Sequence, residues 1–545
     1  MTVREIPTLA KFFEGVAAAH RGRTAVVYGA RRLTLGAIVD ESRRVARGLD
    51  KLGIAPGDRI ALWMPNAPAY LAMFLACARL GAIAVNINSR FRSIELTDIV
   101  GRSGAKALFY WPEFRAIAFN EILAEADPTV MRQLKAIVAY REEGREHRAP
   151  APHGVQVIDY MDFAREAPFT EDRATASSGI AIFTTSGTTR APKFVLHTHR
   201  SIARHAEDVS RAFGYAAPNA VTLQMLPFCG VFGFSQAMAS LTVGAPVVLL
   251  PAFDADVASD AMVENRVTHT NGSDDMFERL LDARGGDCPY PDLAWAGFAA
   301  FNAAAEPLVI KAERRGVRLV GLYGTSELQA LYARQPIEAM AARRALAGGR
   351  PVSPEAAVRV RDPESGGLLA AGEAGELELK GPSMMAGYFG DDDATQRAIT
   401  ADGFIRTGDL GFLTDDGGFV FESRLGDAIR LGGFLVNPIE IESYIQEHPN
   451  VALAQVVAVS HQGRNRPVAF IQPRAGGGVD EATLGDYCRQ RMAKFKVPER
   501  FIAIAEFPVA IGPNGVKIQR GVLRDMARRL LEAGESAGSD GFARG

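Results

Sequence analysis

The stretch Gly179-Ile180-Ala181-Ile182-Phe183-Thr184-Thr185-Ser186-Gly187-Thr188-Thr189-Arg190-Ala191-Pro192-Lys193 decides how the rest of the chain is read. Its opening five residues are apolar and of strand length. The hydroxyl-bearing residues that follow surround a glycine, which lets the backbone turn sharply. Backbone N–H groups and hydroxyls in such a loop can wrap phosphate oxygens, and Lys193 adds positive charge. A Thr-rich surface turn is the plainer reading, but the strand before the loop and the Pro-Lys after it favour phosphate. The loop is not a Walker A element, because no G-x-x-x-x-G-K-[ST] occurs in the chain.

On the N-terminal side of this loop, short apolar runs at 24–28, 59–65, 82–87, 106–110 and 135–139 alternate with helical periodicity, as from Leu35 to Leu52. Such alternation predicts α/β layers with largely parallel sheets. Residues 141–153 are charged and Pro-containing and read as a surface loop, and a further helix–strand series runs from about 201 to 322. From 356 to 422 the texture changes to runs such as AVRVRD, GELELKG and GFVFE, broken by Gly and Asp, which suggests antiparallel structure. A compact segment follows after 424, with a helix near 438–447, a strand over 451–459 and a helix over 481–494.

Composition bounds the function. A chain of 545 residues has room for three to four domain-sized units at about 150 residues each. Hydrophobic residues at 48% and charged residues at 23% are ordinary for a globular protein. Lys and Arg number 61 against 63 Asp and Glu, so the net charge of -2 gives no footprint for nucleic acid. The four cysteines, Cys77, Cys229, Cys288 and Cys488, form no C-x-x-C pair, which argues against a disulfide framework or thiolate zinc site and fits reduced thiols in the cytoplasm. Residues 1–7 lack an apolar signal core, and the most apolar long stretch, Ala69 to Asn86, carries Arg79 and reads as a buried helix followed by a strand. The expectation is a cytoplasmic protein without an integral membrane segment.

Further motifs stand in a fixed order. They are Tyr323-Gly324-Thr325-Ser326-Glu327, Thr407-Gly408-Asp409, Ser423-Arg424-Leu425-Gly426-Asp427, Gly432-Gly433-Phe434, and Gly515-Val516-Lys517-Ile518-Gln519-Arg520. With the hydroxyl-rich loop, this series resembles the adenylate-forming superfamily, which includes acyl-CoA synthetases, over roughly residues 20 to 525. The resemblance implies a large N-terminal body of layered α/β sheets with a β-barrel-like subdomain, over residues 1–423. It implies a small mobile α+β C-terminal domain over 424–534, leaving 535–545 as a Gly/Ser-rich disordered tail. Thr185, Ser186, Gly187, Thr188, Thr189 and Lys193 would hold the pyrophosphate portion of ATP. The ring of Tyr323 would lie near adenine, Gly324, Thr325 and Ser326 would border the nucleotide phosphate, and Glu327 would help hold Mg2+. Asp409 would accept the ribose hydroxyls, Arg424 would contact ribose or phosphate, and Gly426 would be the hinge. Gly432 and Gly433 would line the approach of the CoA pantetheine arm, and Lys517 would bridge the carboxylate and the α-phosphate. Several positions depart from the family pattern: Arg190 and Phe194 replace glycines, Ser423 replaces a glycine, Gly426 replaces a Lys or Asp, and Gly515 lies one residue earlier than the family's glycine.

The implied chemistry is activation of a carboxylic acid as acyl-AMP with release of pyrophosphate, then transfer of the acyl group to CoA. Two anions must meet, so positioning and charge neutralisation carry the reaction. Phe228, Gly230, Val231 and Leu322 match the family's acyl-pocket positions. No cationic clamp for a second carboxylate is apparent. A fatty or alicyclic acid is therefore the leading substrate, with an aryl acid second. Asn271, Asp274 and Asp275 precede a helix at the edge of that pocket and are read as its cap. Two other readings stand beside this one: an enzyme that loads a carrier protein's phosphopantetheine thiol, and a weakened nucleotide-binding relative. A homodimer is left open.

Overall fold

The first sheet follows directly from the alternation of short apolar runs. The computed structural model describes residues 7–114, 117–142, 152–185, 192–300, 305–425, 429–431, 434–436, 438–461, 464–474, 478, 480–490, 492, 496–512 and 515–539. Eight strands lie in the order Gly387–Tyr388, Phe194–Thr198, Gly179–Thr184, Ile83–Asn86, Arg59–Trp63, Ala107–Tyr110, Ala136–Ala139 and Val157–Asp159. From Gly179–Thr184 to Val157–Asp159 all pairings are parallel. The central strands read IAVN, ALFY and AIVA and are buried at every position, as strands covered on both faces must be. The helix Pro68–Leu80 is buried over its whole length, starts with Pro68 in its first turn and stops at Gly81 with φ of 71°. This is the buried helix and strand expected between Ala69 and Asn86.

The second sheet has thirteen strands. Its parallel part contains Thr24–Tyr28, Val247–Leu249, Thr222–Gln224, His269–Ser273, Trp295–Ala299 and Leu319–Tyr323. The runs expected to be antiparallel are so. Ala357–Arg361, Gly375–Lys380, Ile405–Leu413 and Phe419–Arg424 pair in succession. They are joined edge-on to the parallel strands through Gly348–Pro351 and Ala333–Arg334, so the subdomain expected to be barrel-like continues the large sheet.

Beyond Ile429 the elements carry their own apolar cores. Ile429, Leu431, Ile441, Ile445, Val451, Ala454 and Ile471 form one, and Val457, Val468, Phe470, Leu523 and Ala527 form another. They lie about a three-stranded sheet of Val451–His461, Arg464–Pro473 and Arg500–Ala503, flanked by helices and two hairpins. The helix expected over 481–494 is Glu481–Arg489. The last helix, Arg520–Ser539, extends past Glu535 into the stretch expected to be irregular. No described helix is long and apolar enough to cross a membrane.

Candidate active site

The hydroxyl-rich loop is the tip of a hairpin. Gly179–Thr184 and Phe194–Thr198 are antiparallel, with Thr184 opposite Phe194 as the last pair. The Thr185 N–H donates to the Lys193 carbonyl at 3.1 Å, and the Lys193 N–H reaches Thr185 Oγ1 at 3.4 Å. Thr185 and Lys193 therefore close the neck of the loop. Ser186, Gly187, Thr188, Thr189 and Arg190 lie outside the described residues. Phe194, which stands where the family has glycine, is buried, and the Arg102 guanidinium sits 4.2 Å from its ring centre. Arg102 also donates to the Pro192 carbonyl at 2.9 Å and is held by Asp98 through two bonds of 2.8 and 2.7 Å.

Tyr323 ends a strand of the second sheet, and Gly324 begins the turn that carries Thr325, Ser326 and Glu327. A Cβ on Gly324 would lie 2.4 Å from the Ala330 Cα, so only glycine fits. After Glu327 the chain turns through three consecutive non-glycine residues in left-handed conformation, Gln329, Ala330 and Leu331, with φ of 63°, 49° and 42°. Each such residue costs on the order of 1–3 kcal/mol unless its surroundings hold it. Here they do. The Ser235 hydroxyl donates to the Gln329 carbonyl at 2.6 Å, the Gln329 amide donates to the Ser383 carbonyl at 2.9 Å, and the Ala330 N–H closes onto the Thr325 carbonyl at 2.8 Å. His197 Nε2 donates to the Ser326 carbonyl at 2.8 Å. Burial pushes both His197 and His205 down to about 4, so each is neutral at pH 7. Thr325 Oγ1 is buried with no hydrogen-bond partner among the described residues. A buried hydroxyl left without a partner suits a bound oxyanion.

Two carboxylates singled out by the sequence each accept a tyrosine proton donor. Tyr323 donates to Asp409 Oδ2 at 2.6 Å, and Tyr388 donates to Glu327 Oε1 at 2.8 Å. Burial above all, and then the neighbouring carboxylate, raise both tyrosines, which keep their protons. Arg424 lies opposite Asp409 in register and pairs with Oδ1 at 2.9 Å. Both Asp409 oxygens are thus engaged within the protein, and the residue is 1% exposed. Of these two partners Arg424 is the more accessible, with its side chain 56% exposed.

Near the acyl-pocket positions, Phe228 is buried against Tyr70, and its N–H donates to Asn66 Oδ1 at 2.7 Å. Gly230 precedes the helix Val231–Thr242. Leu322 fills the space over Gly297, where a Cβ would come within 2.7 Å of it. Asn271 is not a cap: Ser273 caps the helix Asp274–Ala283, while Asn271 is buried in its strand and donates to Gln236 at 2.8 Å. Lys517 lies on the hairpin strand Gly515–Ile518, opposite Ala510, in a different sheet from the strand that carries Asp409. Gly426, Gly432 and Gly433 lie outside the described residues. The sequence reading missed Tyr388, His197 and His205. Their only signals, a Gly-Tyr pair at 387–388 and single histidines near a strand and in a helix, are the signals of ordinary core residues.

Two sheets that meet at a phosphate-type hairpin and a tyrosine-held pair of carboxylates define an adenylate-forming architecture. Residues 13–389 match the AMP-binding enzyme family, and residues 440–510 match the AMP-binding enzyme C-terminal domain. The chain belongs to the AMP-binding enzyme family. It is 31% identical over 504 residues to the 3-[(3aS,4S,7aS)-7a-methyl-1,5-dioxo-octahydro-1H-inden-4-yl]propanoyl:CoA ligase of Mycobacterium tuberculosis, covering 88% of this chain and 92% of that one. It is 27% identical to the human mitochondrial medium-chain acyl-CoA ligase ACSF2, covering 92% and 84% respectively. Its fold matches the crystal structure of ATP-bound MatB from Rhodopseudomonas palustris with a TM-score of 0.81, at 24% identity and over 95% and 98% of the two chains.

Proposed function

We propose that this ATP-dependent acid–CoA ligase activates an apolar monocarboxylic acid, fatty or alicyclic, with an aryl acid as the next candidate. One observation carries the assignment of the site. Segments far apart in sequence bring Lys193 to Glu327 through Tyr388, and Tyr323 and Arg424 to Asp409, with the short run from Tyr323 to Glu327 joining the two groups along the chain. The apolar acid is supported by the buried Phe228, Val231 and Leu322, and by relatives that take a medium-chain acid and a fused-ring propanoic acid.

In this reading Thr185 to Thr189 and Lys193 cradle the departing pyrophosphate, and Thr325 Oγ1 donates to a phosphate oxygen. Among the described residues no group of three His, Cys, Asp or Glu side chains gathers. A magnesium ion held by Glu327 would therefore take most of its oxygens from the triphosphate and water, as Mg2+ commonly does, and would neutralise charge there. Lys517 draws the acid carboxylate to the α-phosphorus, an alignment that needs no covalent enzyme intermediate. The C-terminal unit from about 424 then swings, and Gly432 and Gly433 admit the thiol arm of CoA to attack the acyl-adenylate. The four cysteines are free, three of them buried, which suits a reducing cytoplasm.

The test is pyrophosphate release across a panel of carboxylic acids, with and without CoA, and mass spectrometry of the product. Acyl transfer to a phosphopantetheine carrier but not to free CoA would redirect the acceptor assignment. Lys517→Ala should slow adenylation by about 10²–10³-fold, the scale of removing one preorganised electrostatic donor. Thioester formation from supplied acyl-adenylate should largely survive. Equal loss of both half-reactions would contradict the role given to Lys517.

A further inference from the structure

The short strand Gly387–Tyr388 adds to the edge of the phosphate hairpin, with Gly387 opposite Leu196 and Tyr388 opposite Val195. The Phe389 N–H donates to the Phe194 carbonyl at 2.8 Å, which fixes this register at the foot of the loop. The same segment grips the Glu327 turn, because the Met385 N–H donates to the Glu327 carbonyl at 2.8 Å. Tyr388 completes both attachments. Its hydroxyl donates to Glu327 Oε1 at 2.8 Å, and its ring face carries the Lys193 ammonium 4.6 Å from the centroid. The residue is 6% exposed.

Glu327, in the turn that follows a strand of the second sheet, and Lys193, just before a strand of the first, have opposite charge. A direct ion pair between them would cancel both. A tyrosine between them does not: its hydroxyl satisfies one carboxylate oxygen while leaving the charge in place, and its π face attracts the ammonium without taking a proton.

We propose that Tyr388 is a positioning residue that holds Glu327 and Lys193 apart and aimed, the hydroxyl orienting the carboxylate for a divalent cation and the ring orienting the ammonium for polyphosphate. The two halves of the side chain therefore have separable tasks. The proposal rests on the assignment of Glu327 and Lys193 to the nucleotide site. Their exchange of charge with the ligand is left to those residues.

The experiment compares Tyr388→Phe with Tyr388→Leu in the full-length chain. Binding of Mn2+ to the protein–ATP complex is measured by electron paramagnetic resonance, and ATP binding without metal by calorimetry. Tyr388→Phe should weaken Mn2+ binding about tenfold, the scale of one hydrogen bond to a charged group, and leave metal-free ATP affinity unchanged. Tyr388→Leu should show the same metal defect and additionally weaken metal-free ATP binding several-fold. Wild-type Mn2+ affinity in Tyr388→Phe would overturn the proposal. So would equal loss of both affinities in both variants with a matching fall in melting temperature, because that is a purely structural role. Failure of the wild-type protein to release pyrophosphate with any acid would instead sink the ligase reading itself, and is scored separately.

Discussion

Four histidines set how this protein responds to acid. His197, His199, His205 and His269 are buried, and burial pushes each down to about 4 from an ordinary value near 6.5. Three of them have a ring nitrogen that is buried without a partner among the described residues, which suits the neutral ring. The unfolded chain takes up these protons near pH 6.5, whereas the folded chain does so only near 4. Their contribution is complete above pH 6.5 and is lost as pH falls from 6.5 to 4, by about 1.4 kcal/mol per pH unit for each histidine. Melting temperature should fall steeply across that window, before the carboxylates protonate. His205→Gln should start less stable at pH 7 but show a shallower fall, and a flat melting temperature between pH 6.5 and 4.5 would refute the argument. His205 also shows what single residues hide. Glu327 and Asp409 are legible because they sit beside Tyr-Gly and Thr-Gly in a known order. His205 lies in a helix, and its burial close to the left-handed backbone at Gln329 and Ala330 exists only once distant segments meet.

At the scale of elements, the hairpin that bears the loop was readable as a strand, a turn and a basic residue, because hydroxyls and glycine in one run have few other uses. Its brace was not. Phe194 departs from the family's glycine, and the sequence gives no reason; the packing does. The phenyl ring fills the space under Arg102, whose guanidinium also binds the Pro192 carbonyl and is oriented by Asp98. A flexible glycine is thereby exchanged for a residue anchored on the helix Ser93–Ser103, at the exit of the loop. Arg102→Ala should loosen this exit and raise the KM for ATP about tenfold with kcat little changed. That is the scale of one charge-assisted hydrogen bond together with a stacked cation. Steady-state kinetics with varied ATP decide it: a fall in melting temperature with KM unaltered would mean that the brace serves stability alone.

At the scale of the whole molecule, the turn from one unit to the next can be located from both sides. Arg424 closes a strand of the large sheet and pairs with Asp409, and the Leu425 N–H donates to the Gly408 carbonyl at 2.7 Å. Ile429, 3% exposed, already belongs to the C-terminal core. If one unit rotates against the other, the chain between Leu425 and Ile429 is where we propose that the rotation is absorbed. The resemblance implied a hinge at Gly426, which lies outside the described residues; what the sequence could not show is that Arg424 and Ile429, on either side, are committed to different cores. Gly426 lacks the side chain that normally favours one state, and it supplies backbone freedom instead. Gly426→Pro fixes φ near −65° and removes that freedom. If adenylation and thioester formation need two orientations of the small unit, the variant should retain much of its single-turnover pyrophosphate release yet lose thioester formation by a larger factor. Quenched-flow measurement of both half-reactions decides it. Equal rates in the variant and the wild-type protein would mean that the swing turns on some other bond, and a proportional loss of both would mean that proline had damaged the cleft rather than the motion.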